Sequence, residues 1–168
     1  TTIGNGNYEI YRLRTAFDPE DASLNTRFIN QEILKDYLKS RPFGGGLGVT
    51  GFWGVKYNAD KFLSKIPPDS YWVKVWVMYG IVGLVIWFSI MMYILGKGCG
   101  IIWNIQNKAL RYKLIALCSG AAGIFFASYG NEIMNDMPSS MIMSISWAFI
   151  FLGPKLDREH FNSGRDEA

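Results

Sequence analysis

The chain has 168 residues, enough for one small domain, and its formal net charge of +3 says little about binding partners. The single histidine, His160, lies in the polar tail, which argues against a His-based metal site and against a Ser-His-Asp triad within these residues. We therefore expect no metal or other cofactor, and no nucleic-acid partner. The positions of the charges are more informative than their sum, because a polar, Gly-rich N-terminal part is followed by an apolar C-terminal part.

The first clear element is a helix. Residues 1–22, which include Arg12 and Arg14, show no decisive period. Residues 23–40 predict an amphipathic helix at about 24–40, because apolar side chains recur at three- and four-residue spacing. The apolar stripe consists of Phe28, Ile29, Ile33, Leu34, Tyr37 and Leu38. We expect this helix to lie on a membrane surface; the alternative is a core-facing helix of a soluble domain.

A Gly-rich loop is predicted at 42–54, followed by a short helix at 58–65. Glycine tolerates positive φ, and exposed backbone N–H groups in such a loop can form a nest for anionic oxygens. Residues 46–51 match G-x-G-x-x-G, but no strand precedes them and Trp53 follows where a helix should open. This context excludes a dinucleotide site. The alternative to an anion-binding loop is a flexible linker.

Three segments without Asp, Glu, Lys, Arg or His follow, at 75–95, 114–130 and 137–152. About 20 helical residues cross a hydrocarbon core of roughly 30 Å, so we predict transmembrane helices at about 72–95, 110–130 and 137–153. Asp69 or Ser70 is the expected N-cap of the first helix, and Lys74 is expected to extend outward to water. An outer aromatic belt is predicted at Tyr71, Trp72, Trp76 and Tyr79.

Basic residues give the predicted orientation. The loop after the first span contains Lys97, Lys108, Arg111 and Lys113 and no acidic residue. The positive-inside rule places this loop in the cytoplasm, so residues 1–71 would lie outside and residues 154–168 would form a mobile, charged cytoplasmic tail. Cys99 in the loop and Cys118 in the second span would fall on different sides of the membrane boundary, so no disulfide is expected between them.

The expected fold class is an all-α integral membrane protein. The chain begins Thr-Thr-Ile and has no signal-peptide-like start, although its front part is predicted to lie outside. We therefore expect a C-terminal fragment of a longer polytopic helical bundle, with an amphipathic helix and a Gly-rich loop on its outer side.

Three charged side chains in the front part are candidate site residues. Arg27 and Arg41 each carry a guanidinium that binds phosphate in a bidentate fork. Beside a glycine nest they suit a lipid-linked pyrophosphate, whereas singly each fits headgroup contact or solubility. Asp69 is a candidate general base toward a sugar hydroxyl, with an N-cap as the alternative. Glu132 and Asp136 fit a solvated turn better than a catalytic role.

The order of these motifs resembles the O-antigen ligase and polymerase superfamily. The resemblance is carried by Arg27 on a helix, Ser-Arg-Pro-Phe-Gly-Gly-Gly-Leu-Gly at 40–48, and Pro-Asp-Ser-Tyr-Trp followed by an apolar helix from residue 68. It covers residues 25 to about 95 and extends to the other helices by topology alone. It implies the second half of a large periplasmic loop and the last three membrane helices of such a protein.

The resemblance implies a metal-independent, inverting glycosyl transfer at the periplasmic face of a bacterial inner membrane. The donor would be a glycan on undecaprenyl pyrophosphate, and the acceptor lipid A–core or another lipid-linked repeat unit. Arg27 matches the family's pyrophosphate-binding arginine. The residues expected to help it are Arg41, Gly44, Gly45, Gly46 and Gly48.

One departure concerns the base. Ligases commonly carry His-Asn just before the membrane helix, where this chain has Asp69-Ser70. Either Asp69 takes the role of base, or the chain is a polymerase or a divergent relative with another acceptor. The alternative function is a non-catalytic transporter segment or a subunit of a larger membrane complex.

Overall fold

The structure, a computed structural model, describes the backbone of residues 22–166 and the side chains of residues 25–159. Arg12, Arg14 and His160 therefore lie outside the described side chains. The described range contains five α-helices: α1 (Ala22–Leu38), α2 (Gly51–Tyr57), α3 (Tyr71–Trp103), α4 (Lys108–Ala127) and α5 (Ser139–Asp166). Short 3-10 helices occupy Phe62–Lys65 and Ile133–Asn135.

The predicted all-α class is confirmed, since no strand occurs between residues 22 and 166. Three helices are long and apolar enough to cross a membrane: α3, α4 and the Ser139–Glu159 part of α5. The first continues to Trp103, past the predicted end at 95. That end was set by Lys97, but a single exposed lysine does not terminate a helix, and its ammonium lies 5.8 Å from the Tyr93 ring centroid.

α3 is not one straight rod. Gly80 adopts φ 69 and ψ −172, which are not helical values. The rings of Trp72 and Trp87 lie 5.8 Å apart, whereas a continuous helix would separate these residues by about 22 Å along its axis. The chain therefore turns back at Gly80. We call residues 71–79 the arm and residues 81–103 the α3 span, so the first residues of the predicted span at 72–95 belong to the arm.

The Gly-rich loop fills this break. The N–H groups of Gly45 and Gly46 donate to the carbonyls of Val77 and Met78 at 2.8 and 3.0 Å, and the N–H of Val82 donates to the Pro42 carbonyl at 3.3 Å. These bonds satisfy backbone groups that the interrupted helix leaves free. The loop thus has a structural role that its sequence alone does not reveal.

A small domain, residues 22–79, forms from α1, α2, the first 3-10 helix and the arm. The arm contributes Val73 and Val77 to its core, with Tyr37 and Trp76 packed against it. The other buried core residues are Leu34, Leu38, Val49, Leu63 and Ile66. Because the arm is part of this core, the small domain is joined directly to the first span.

The apolar stripe of α1 divides into two parts. Leu34 and Leu38 are buried in the small-domain core, as the core-facing alternative predicts. Phe28, Ile29 and Ile33 are exposed, and this part of the stripe remains available to a surface. The helix ends at Leu38, two residues before the predicted end.

The second helix begins inside the predicted loop. α2 starts at Gly51, so the loop predicted at 42–54 ends at Thr50, and the helix predicted at 58–65 is replaced by α2 and the 3-10 turn Phe62–Lys65. Ser64 fixes this arrangement, since its hydroxyl oxygen lies 3.0 Å from the Val49 carbonyl oxygen and 2.6 Å from that of Asn58, and its one hydrogen can be donated to either. Gly54 allows close packing, because a Cβ there would lie 2.7 Å from the Val49 carbonyl carbon.

The predicted aromatic belt is only partly exposed. The Trp72 indole N–H donates to the Phe125 carbonyl at 3.2 Å, and its ring packs on Phe125 inside the bundle. Trp76 packs against the small-domain core, whereas Tyr79 is exposed. The Tyr71 ring also lies 5.7 Å from that of Trp87, so three of the four predicted belt residues make internal contacts.

The three spans pack around two buried clusters. Met91, Leu95, Ala121, Phe125 and Met143 form the cluster nearer the small domain. The second cluster contains Ile102, Ile105, Leu114, Cys118 and Ile150. The Sγ atoms of Cys99 and Cys118 are 4.0 Å apart, because Cys99 belongs to α3 and not to a loop. Both are free thiols, and they are neighbours within the bundle rather than separated between a loop and a span.

The last helix continues through the segment predicted as a mobile tail. α5 passes Pro154 and extends to Asp166. The carboxylate of Asp157 accepts from the N–H groups of Gln106 and Asn107, both at 2.9 Å. Asp157 therefore ties α5 to the turn between α3 and α4, and the start of the predicted tail is part of the bundle.

Candidate functional site

A cavity of about 540 Å³ lies where the small domain meets the turn between α4 and α5. Its polar and charged walls distinguish it from the lipid-facing grooves of the bundle. It is lined by Arg27, Gly51, Phe52, Val55, Ser64, Lys65, Pro67, Pro68, Asp69, Asn131, Glu132 and Asp136. We call this the junction cavity.

Arg27 reaches the junction cavity from the first turns of α1. Its Nη1 donates to the Gly130 carbonyl at 3.2 Å, which links α1 to the α4–α5 turn. This bond uses one of the five N–H donors of a guanidinium. The side chain is thus held in place at the wall with further donors to offer an anionic ligand.

Asp69 is far from Arg27 in the sequence but lines the same cavity. Its backbone is in the left-handed region, with φ 52, where Asp is tolerated better than most residues. Its Oδ2 lies 3.5 Å from the Nδ2 of Asn30, one turn after Arg27 on α1. The two predicted site residues are therefore brought to one cavity by a single face of α1.

The N-cap alternative for Asp69 is not what the structure shows. Ser70 is the N-cap of α3, and its hydroxyl accepts from the N–H of Val73 at 3.4 Å. Ser70 is buried and also donates to the Ser128 carbonyl at 3.4 Å. The Asp69 carboxylate is consequently not needed to cap the arm.

An ion pair forms one boundary of the cavity. Lys74 Nζ lies 2.6 Å from Glu132 Oε2, with side-chain exposures of 11% and 25%. Lys74 was predicted to extend to water and Glu132 to lie in a solvated turn, but each instead neutralises the other. A Cβ on Gly51 would lie 3.3 Å from Lys74 Nζ, so the absence of a side chain there leaves room for the ammonium.

The remaining predicted site residues lie elsewhere. Arg41 donates to the Tyr37 hydroxyl at 2.6 Å and lies 4.2 Å over its ring, away from the junction cavity. The N–H groups of Gly44, Gly45 and Gly46 all donate to backbone carbonyls of this chain. Three of the donors expected in an anion nest are thus already used, while Gly48 lies outside the cavity lining.

Two features of the cavity were not predicted from the sequence. Lys65 lines it and adds a second cation beside Arg27, although Lys65 had no motif to mark it. The Lys74–Glu132 pair joins residues 58 positions apart. Only the absence of other charges near Lys74, at the start of a long apolar segment, could have indicated that it needs a partner.

The charges of the cavity allow a specific chemistry. Arg27 and Lys65 can hold an anionic group through charge-assisted hydrogen bonds. The carboxylates of Asp69 and Asp136 can accept a proton from a hydroxyl group, and Glu132 is neutralised by Lys74. Among residues 25–159, no three His, Cys, Asp or Glu side chains are grouped to hold a metal ion.

A second, larger groove of about 850 Å³ lies between α3 and α4. Its walls are mainly apolar, with Arg111 and Tyr112 among them, and it contains none of the predicted site residues. It is therefore a feature of the bundle and not of the junction cavity.

Comparison of the chain with protein-family models, with curated proteins and with solved structures gave no match. A function for this chain is therefore inferred from the residues of the junction cavity and from their position at the end of the spans.

Proposed function

We propose that the chain is part of a membrane glycosyltransferase of the O-antigen ligase or polymerase type. It would act at the periplasmic face of the bacterial inner membrane, with a glycan on undecaprenyl pyrophosphate as donor and lipid A–core or a glycan as acceptor. The observation that carries the proposal is that Arg27 and Asp69 open onto one cavity beside the membrane spans.

The leaving group in this proposal is bound by the cations. A pyrophosphate that leaves the anomeric carbon carries the electron pair of the broken C–O bond, so positive charge nearby lowers the barrier. Arg27 and Lys65 line the same cavity and supply that charge. Because a polyprenyl chain must remain in the bilayer, its pyrophosphate lies at the headgroup level, where a cavity beside the spans can receive it.

The acceptor is activated by the carboxylate. Its hydroxyl oxygen forms the new bond to the anomeric carbon on the face opposite the leaving group, which inverts the configuration. Its proton passes to the carboxylate of Asp69. Asn30, whose Nδ2 lies 3.5 Å from Asp69 Oδ2, positions that carboxylate. No metal ion is required, since the two cations take the role of neutralising the pyrophosphate.

Substitution of Arg27 by Ala in the full-length protein tests this proposal. We expect surface polysaccharide of normal length or linkage to fall by on the order of 10²-fold, because a charge-assisted contact to the leaving group is lost. The readout is the ladder of glycan products on a gel, compared at equal amounts of protein in the membrane fraction.

Arg41→Ala is the matched control. Arg41 is also an arginine of the small domain, but it lies just after α1, stacks on Tyr37 and does not line the junction cavity. We expect an unchanged glycan ladder. An unchanged ladder in Arg27→Ala as well would exclude the assigned role and favour a non-catalytic membrane component.

A further inference from the structure

The loop that fills the break in α3 also presents two large apolar side chains to its surroundings. Phe43 is 75% exposed and Leu47 is 72% exposed. We call these two side chains the apolar tip. Exposure of large apolar groups in water is unfavourable, and a cluster of them marks an interaction surface.

Backbone hydrogen bonds fix the height of the apolar tip relative to the spans. Gly45 and Gly46 are bonded to Val77 and Met78, and Pro42 is bonded to Val82 in the first turn of the α3 span. The contact is tight, because a Cβ on Gly44 would lie 2.4 Å from the Gly80 nitrogen. The apolar tip therefore cannot move away from the start of the span without breaking these bonds.

The start of the α3 span lies at the edge of the hydrocarbon core. Residues 81–103 measure about 34 Å at 1.5 Å per residue, only slightly more than a core of roughly 30 Å. The side chains on both sides of Gly80, beside the loop, are also exposed and largely apolar: Tyr79 at the end of the arm is 46% exposed, and Ile81 and Val82 at the start of the span are 53% and 37% exposed. The apolar tip thus continues the lipid-facing surface of the span.

We propose that Phe43 and Leu47 insert into the bilayer and hold the small domain on the membrane surface. The occupant of this surface is lipid at the boundary between headgroups and acyl chains, the region in which apolar side chains of peripheral segments are buried. This surface is distinct from the junction cavity, and the proposal does not depend on the glycosyl transfer.

Spin labels test the depth of the apolar tip. Single cysteines are introduced as Phe43→Cys and Leu47→Cys in the full chain after Cys99→Ala and Cys118→Ala, labelled with a nitroxide and placed in phosphatidylcholine–phosphatidylglycerol vesicles. Both positions are exposed, so the label needs no repacking of a core. Collision rates with oxygen, which concentrates in lipid, are compared with those of a water-soluble nickel chelate.

Two reference positions define the outcomes. Ile90→Cys reports the lipid-facing middle of the span, where Ile90 is 52% exposed, and Ala59→Cys reports an exposed polar loop of the small domain. We expect the ratio of oxygen to nickel collisions at positions 43 and 47 to be several-fold above that at 59 and below that at 90, as for side chains at the boundary between headgroups and acyl chains. A ratio equal to that at position 59, or low collision rates with both reagents as in a protein contact, would overturn the proposal.

Discussion

Asp69 combines an unusual backbone conformation with a carboxylate that lines the junction cavity. It is the non-glycine residue with positive φ within residues 22–166, and it lies between two prolines and the N-cap of the arm. Residues held in such sparsely populated backbone regions persist only where the surroundings fix them, and they cluster at functional sites. Here the backbone turn directs the chain into the arm and leaves the carboxylate at the wall of the junction cavity.

Asp69→Asn separates the charge of this residue from its backbone conformation. Asparagine tolerates the left-handed region as well as aspartate does, so we expect normal folding. Loss of a general base lowers the rate by about 10²- to 10⁴-fold, which the glycan ladder of the full-length protein would report. Asp60→Asn, at an exposed loop position, is the matched control and should leave the ladder unchanged. Wild-type activity in Asp69→Asn would exclude the base role.

At the residue scale, sequence reasoning found side chains with a local signal. Arg27 lies on the helix that precedes the glycine motif, and Asp69 lies just before a long apolar segment. The structure brings both to the junction cavity. Arg41 has an equally suggestive position, but its contact with Tyr37 directs it elsewhere. Lys65 could not be selected because its neighbours in the cavity come from distant parts of the chain.

At the scale of elements, the break in α3 determines how the arm folds back against the α3 span. Gly80 has φ 69 and ψ −172, a combination essentially restricted to glycine. A Cβ at this position would lie 2.0 Å from the Pro42 carbonyl oxygen. The reversal therefore depends both on the missing side chain of Gly80 and on the loop that donates to the freed carbonyls.

Gly80→Ala should accordingly destabilise the protein by at least about 1–3 kcal/mol from backbone strain alone. We expect a lower midpoint of thermal unfolding in detergent micelles, followed by circular dichroism. Gly96→Ala is the matched control in the same helix, because a Cβ there meets no atom within 4 Å. Alanine favours helix over glycine by up to about 1 kcal/mol, so Gly96→Ala should not lower the midpoint. Equal unfolding midpoints for the two variants would contradict the reversal of chain direction at Gly80.

The sequence predicted the existence of the helices better than their ends. Length and freedom from charge mark three spans because these properties are local. The turn at Gly80 leaves no distinctive local signal, since residues 75–95 are almost all apolar and Gly80 is one of several glycines within Tyr71–Trp103. It arises from hydrogen bonds to residues 42–46, which no periodicity within residues 71–103 can reveal.

At the scale of the whole molecule, the α4–α5 turn joins the small domain to the bundle. The N–H of Tyr71 donates to the carbonyls of Ser128 and Asn131 at 3.1 and 3.3 Å. Arg27 adds its bond to Gly130, and Lys74 adds its ion pair with Glu132. The α4–α5 turn is thus bonded to α1 through Arg27 and to the arm through Tyr71 and Lys74.

The Lys74–Glu132 pair should show energetic coupling across this junction. Removing one partner by Lys74→Met or Glu132→Gln leaves the other partly buried and unpaired, which we expect to cost about 1–3 kcal/mol. The double variant should be more stable than the sum of the single changes predicts. Thermal unfolding of all four proteins in micelles measures this coupling, and additivity within about 0.5 kcal/mol would contradict it.

The turn at Gly80 also determines how far the small domain stands from the bilayer. A straight helix over Tyr71–Trp103 would be about 50 Å long, and its upper part would form a stalk of roughly 20 Å above the hydrocarbon core. Folding back the arm removes that stalk and keeps the cavity walls within reach of lipid headgroups. In the proposed glycosyl transfer, a donor carried on a lipid would then enter the junction cavity without being lifted from its own membrane.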